Sequence, residues 1–142
     1  MPVATSTIVA LDVGARRIGV AVADSVARLA RPLTTLERSS STLDELQHII
    51  AEQKAEVLIV GLPRDMAGQT TQQTRDTLEF VAELKTHLNV PIHMQDEAVT
   101  SKHAEAELKT RGKTYNKGDI DALAATYILD DWLQANVGVM HG

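Results

Sequence analysis

Three groups of carboxylates stand out in this chain because of the residues around them. Asp12 closes a short apolar run at residues 7–11 and is followed by Val13-Gly14. Strand alternation places it on the same side as Ile8 and Ala10, a core-facing row. An ionised carboxylate in such a row is expensive unless it is paired or bound to a cation. An aspartate just before a glycine turn is an equally good reading of the same residues. Asp96 and Glu97 are adjacent, so on extended chain they point to opposite faces and at most one can join Asp12. They also read as a simple acidic pair ahead of a helix, where the dipole favours them. Asp119 and Asp121 open the last helical pattern. Asp119 suits a helix N-terminus, whereas Asp121 shares a stripe with Ala124, Ala125 and Ile128 and is aimed inward.

Asp12, Glu97 and Asp121 could therefore converge from three separate elements. Such a cluster repels itself unless a cation neutralises it, and hard oxygen donors suit Mg²⁺ or Mn²⁺. Two such ions about 3.5–4 Å apart can clamp a phosphodiester, one activating water and the other stabilising the leaving oxygen. The chemistry to expect from three convergent acids is metal-dependent hydrolysis of nucleic acid.

The elements that would position these acids can be read in order. β-branched runs at 7–11 and 18–23, joined by Gly14-Ala15-Arg16-Arg17, predict a β-hairpin. Residues 32–36 predict a third strand at an edge, because Pro32 cannot donate to a ladder. Leu43, Leu46, Ile49 and Ile50 recur at helical spacing behind Ser41 or Thr42 as cap. The run 57–60, ended by Gly61-Leu62-Pro63, predicts a strand buried on both faces. Leu78, Val81, Ala82 and Leu88 predict a helix from about Thr71, and 90–94 a fifth strand. A helix over 100–110 and a last one from about Gly118 complete the order. A leading hairpin followed by β–α alternation predicts a mixed five-stranded sheet with helices on both faces. Sites in such sheets gather at the carboxyl ends of the parallel strands. That rule selects Asp12 after the first strand, Arg64 and Asp65 after the fourth, and Asp96-Glu97 after the fifth.

Composition narrows the function. The 142 residues carry 14 Lys and Arg against 19 Asp and Glu, a net charge of −5, so indiscriminate nucleic-acid binding is disfavoured. The four aromatics are too scattered for a base-stacking platform. With no cysteine, disulfides, thiolate nucleophiles and cysteine zinc sites are excluded, and the five histidines show no paired metal spacing. No apolar run reaches the roughly 18 residues of a membrane helix, and residues 1–10 lack a basic leader. The expectation is one cytoplasmic domain over 1–142 with no membrane association.

Basic residues cluster beside the acids. Arg16 and Arg17 lie in the turn next to Asp12, and Arg64 lies at the same sheet end. Between Ala98 and Gly118 five basic residues, Lys117 among them, face only Glu105 and Glu107. Such a patch could guide a polyanion, although a solvated helix and loop is the plainer reading. Thr100 would cap a helix whose free N–H groups suit a phosphate. Arg16, Arg17, Arg64, Thr100 and Lys117 are thus the candidate substrate contacts.

Four blocks together resemble one family. Leu11-Asp12-Val13-Gly14-Ala15-Arg16-Arg17-Ile18-Gly19-Val20-Ala21 is similar to the opening of the YqgF/RuvX family, and Val60-Gly61-Leu62-Pro63 with Met66-x-Gly68 to its second block. Asp96-Glu97 with Thr100-Ser101 resembles the third block, and Lys117-Gly118-x-x-Asp121-x-x-Ala124-Ala125 the fourth. The resemblance spans almost the whole chain. It implies a ribonuclease H-like fold, pre-16S rRNA nuclease activity in 5′-end maturation of 16S rRNA, and kinship with RuvC-type Holliday-junction resolvases. It also implies Asp12, Glu97 and Asp121 as catalytic acids and metal ligands. The implied partner is an rRNA precursor, alone or on a ribosomal particle, with branched DNA as the alternative; oligomeric state is left open.

Two positions depart from the pattern. Ala98 stands where the family usually has Arg, and Ala15 where it usually has Thr. Neither touches the proposed ligands, but both bear on substrate preference. They keep open a non-catalytic RNA-binding, ribosome-assembly role on the same fold. A phosphotransferase of the actin-like type is a further alternative, disfavoured by single-domain length and the lack of a GxxxxGK[ST] loop.

Overall fold

The computed structural model describes residues 6–65, 67–97 and 117–136. Five strands form one sheet: β1 (Thr7–Val13), β2 (Arg17–Asp24), β3 (Arg31–Glu37), β4 (Ala55–Pro63) and β5 (Ile92–Glu97). Their spatial order is β3-β2-β1-β4-β5. The pairs β3-β2 and β2-β1 are antiparallel, while β1-β4 and β4-β5 are parallel. This is the expected mixed sheet, with β1 at its centre and β3 at an edge. The helices are α1 (Thr42–Gln53), α2 (Gln72–His87) and α3 (Lys117–Ala135). The helix expected over 100–110, and with it Thr100, lies outside the described residues.

Strand alternation divides the core between the two faces. On one face Val9, Leu11, Val20, Val22, Leu58 and Val60 pack with Leu46 and Ile50 of α1 and Phe80, Val81 and Leu84 of α2. On the other, Ile8, Ala10, Ala21, Ala23 and Ile59 pack with Ala125, Ile128, Leu129 and Trp132 of α3. Large side chains hold α1 and α2 away from the sheet. The alanines and glycines of the second face let α3 settle close to it.

Three local expectations need correction. Asp12 lies inside β1, one residue short of its end, because β1 pairs with β2 as far as Val13↔Ile18. Asp96 and Glu97 are the last two residues of β5 rather than residues beyond it. The parallel ladder to Leu62 and Pro63 holds this polar tail extended, and the Arg64 N–H donates to the Glu97 carbonyl at 3.1 Å. In α2 the buried stripe is Thr74, Thr77, Phe80, Val81 and Leu84, while Leu78 is 45% exposed. The two threonines can be buried because their hydroxyls donate to backbone carbonyls, Thr74 to Pro63 and Thr77 to Gln73. Thr74 also completes a reciprocal cap with Thr71, which fixes the start of α2.

Candidate active site

The site is built on the α3 face, at the carboxyl ends of the parallel strands. Asp12 sits on this face behind Ile8 and Ala10, and its cross-strand partner in β2 is Gly19. Gly19 has no side chain to hold α3 off, so the first turns of the helix lie directly over the strand pair. Thr35 of β3 donates its hydroxyl to the Gly118 carbonyl at 2.6 Å and anchors the same end of the helix. The result brings Asp121 beside Asp12. Burial, and after it the negative charge of Asp121, push the Asp12 carboxyl up from 3.8 to about 7.

The loop between β1 and β2 closes over this pair. The Gly14 N–H donates to the Arg17 carbonyl at 2.9 Å, a turn so tight that a β-carbon at position 14 would lie 2.8 Å from that oxygen. Arg38 donates to the Gly14 carbonyl at 3.0 Å from behind. Arg17 then begins β2 on the α3 face, and its Nε donates to Asp121 Oδ2 at 2.6 Å. Gly14, Ala15, Arg16, Arg17 and Asp121 line a cleft of about 320 Å³. Arg16 is exposed at its rim.

Glu97 belongs to the same face and to a different neighbourhood. Continuing the β1–β4 register by one residue sets Asp12 level with Gly61, and Glu97 pairs with Pro63. Two strand spacings and two residues of rise separate the Asp12 and Glu97 α-carbons by about 12 Å. The Glu97 carboxyl is hydrogen-bonded to Asp131, an exposed acid late in α3. Burial first, then that hydrogen bond and the charges of Asp131 and Asp96, raise Glu97 from 4.5 to about 8. Among the described residues its buried Oε1 has no hydrogen-bond partner. Asp96 points to the opposite face and pairs with Arg64 at 3.2 Å; Arg64 also donates to Thr70.

Of the three convergent acids expected from sequence, the fold brings Asp12 and Asp121 together and places Glu97 on the same face, turned to Asp131. Among the described residues no three acidic or histidine side chains stand close enough to share one ion. Lys117 begins α3, and its side chain lies outside the described residues. Asp131 was missed, yet its signal was present: residues 121, 124, 128 and 131 form one stripe on α3. The donors themselves suit a hard divalent cation. They are carboxylate oxygens, two of them mutually repelling, with an unpartnered third oxygen along the sheet. His93 is instead engaged with Trp132, ring centroids 6.1 Å apart.

Comparison with known proteins decides the family. The family model described as RuvX, Holliday junction resolvase, matches residues 6–135. The chain belongs to the RuvX family. A relative from Crocosphaera subtropica is 43% identical over 127 residues, covering 87% of this chain and 89% of its own. One from Pseudomonas putida is 35% identical over 130 residues, covering 88% and 92%. Both carry the name "Putative pre-16S rRNA nuclease". Among solved structures, Thermus thermophilus RuvC in complex with a Holliday junction substrate matches with a TM-score of 0.56 at 19% identity, over 93% of this chain and 96% of that one. The fowlpox virus Holliday junction resolvase matches at 0.54 and 11% identity, over 92% and 99%. The RuvX chain therefore has the ribonuclease H-like fold of the RuvC resolvases. Among the described residues no helix is long and apolar enough to cross a membrane.

Proposed function

We propose that this chain is a divalent-metal-dependent endonuclease that hydrolyses phosphodiester bonds of structured RNA, with the 5′ precursor of 16S rRNA in the cytoplasm as substrate, free or on a ribosomal particle. The observation that carries this reading is the Asp12–Asp121 pair, two carboxylates held together at the sheet's carboxyl end in a RuvX-family chain. Relatives named for pre-16S rRNA support the substrate.

Asp12 and Asp121 would hold the cation, and Glu97, two strands away on β5, would join them only on turning from Asp131. Bound there, Mg²⁺ or Mn²⁺, in one or two copies, supplies an acidified water and charge neutralisation for the phosphate. Asp12 must give up its proton for this, which its neighbour Asp121 resists. Arg16 at the cleft rim, with Arg17, Arg64, Thr100 and Lys117, takes the phosphates on either side. Ala15, exposed in the same loop, leaves room without adding a hydroxyl contact.

A second reading, cleavage of four-way DNA junctions, is favoured by the RuvX description and by the shared RuvC fold. One experiment separates them. The purified chain is incubated with 5′-extended 16S precursor RNA and with a four-way DNA junction, in Mn²⁺ or Mg²⁺ and in chelator. Metal-dependent RNA cleavage lost in Asp12→Asn supports the reading. Junction cleavage alone supports the second, and RNA binding with no cleavage of either substrate rejects both in favour of a binding module.

A further inference from the structure

Arg17 is oddly employed for a residue expected to hold substrate. It projects from the first position of β2 onto the α3 face and spends its Nε on Asp121 at 2.6 Å. The two side chains are 30% and 18% exposed, so the contact is partly withdrawn from water. The same carboxylate is half of the acidic pair it forms with Asp12. A guanidinium at this point does electrostatically what a cation would do: it compensates the charge of Asp121 and fixes the orientation of its oxygens. It also occupies a lone pair of Oδ2 that a metal ion would need.

Resting on the nuclease reading above, we propose that Arg17 is the resident counter-charge of the acidic pair and competes with the divalent cation for Asp121. Metal entry then requires the Arg17–Asp121 contact to open. The guanidinium so released is still anchored in the loop of Gly14, Ala15 and Arg16 that lines the same cleft. A +1 group expelled by a +2 ion and left at the cleft wall faces an incoming phosphate. Arg17 is thus a positioning residue in two alternating roles, first for a ligand carboxylate and then for the polyanion, which couples metal loading to substrate capture. The burial and short distance of the pair make the exchange a real competition, and its partial exposure keeps it reversible.

The test reads metal binding rather than turnover. Mn²⁺ affinity is measured by calorimetry or by the loss of the free-ion paramagnetic resonance signal, without nucleic acid, for wild type, Arg17→Gln, Arg17→Lys and Asp12→Asn. Removing the competitor should tighten Mn²⁺ binding by about threefold or more in Arg17→Gln. Arg17→Lys, which keeps the charge but not the forked geometry, should fall between that variant and wild type. Binding of precursor RNA should weaken in Arg17→Gln. A merely structural role predicts the opposite sign for the metal, because a loosened site binds more weakly. Unchanged or weaker Mn²⁺ binding in both Arg17 variants, with Asp12→Asn still abolishing binding, overturns the role of Arg17 and leaves the metal site standing. Undiminished Mn²⁺ binding in Asp12→Asn, or none in wild type, overturns the metal site itself and the competition with it. Should Arg17→Gln fail to fold, Arg17→Lys alone decides: tighter supports the proposal, equal or weaker rejects it.

Discussion

A β-carbon on Gly19 would stand 1.9 Å from the backbone carbonyl oxygen of Asp121. Gly19 is also the cross-strand partner of Asp12. The two acids therefore meet because the residue opposite one of them has no side chain to keep the other's helix away. Gly61 does the same further along, where a β-carbon would lie 2.3 Å from Cδ1 of Ile128. The first contact is backbone on backbone and cannot yield; the second could be relieved by moving the end of a side chain.

Gly19→Ala should accordingly displace the start of α3 and separate Asp121 from Asp12. The expected cost is about 1–3 kcal/mol of stability, with cleavage lost even where the protein remains folded. Denaturant unfolding and an RNA-cleavage assay check this. Wild-type stability in the variant would mean that α3 is not held by this approach.

Asp12 should cost stability above neutral pH. Its folded value of about 7 exceeds its ordinary 3.8, so between those values the folded state holds a proton that the unfolded chain does not. The favourable contribution is full below about pH 4 and is lost as pH rises through about 7. Asp12→Asn cannot ionise and should be more stable than wild type at pH 8 by about 1–3 kcal/mol, with little difference at pH 4. Thermal unfolding in chelator at the two pH values reads this directly. A variant less stable at pH 8 would contradict it.

Metal affinity should follow the same carboxyl. Protons and the cation compete for Asp12, so Mn²⁺ binding should weaken by about tenfold from pH 8 to pH 6. Asp121 faces Asp12 in the site, and Arg17 is bonded to Asp121. Equal affinity at the two pH values would argue against a carboxylate site centred on Asp12.

Asp131 should control Glu97. Its hydrogen bond and charge help raise Glu97 to about 8, and Asp131→Asn removes the charge. The Glu97 side-chain carboxyl carbon, followed by NMR, should then titrate at lower pH. An unmoved titration would show that burial alone sets it.

The strands were legible because β-branched runs broken by Gly and Pro carry their own signal, and the inward aim of Asp121 on α3 because helical spacing is regular. The end of β5 was not, since Gln95-Asp96-Glu97 is too polar to read as strand and is held extended only by its ladder with β4. The buried face of α2 was misjudged at Leu78, because Thr74 and Thr77 become apolar enough to bury only once their hydroxyls find carbonyls. The Asp12–Asp121 pair could be inferred from two separate face assignments. The partner of Arg17 could not, because it depends on where a long side chain comes to rest between elements distant in sequence.

The most direct measurement is anomalous diffraction from a crystal of this chain soaked in Mn²⁺. A peak is expected within about 2.5 Å of carboxylate oxygens from both Asp12 and Asp121, with Arg17 withdrawn from Asp121. Saturating Mn²⁺ that leaves no density between those two carboxylates, and the Arg17 contact intact, would contradict it.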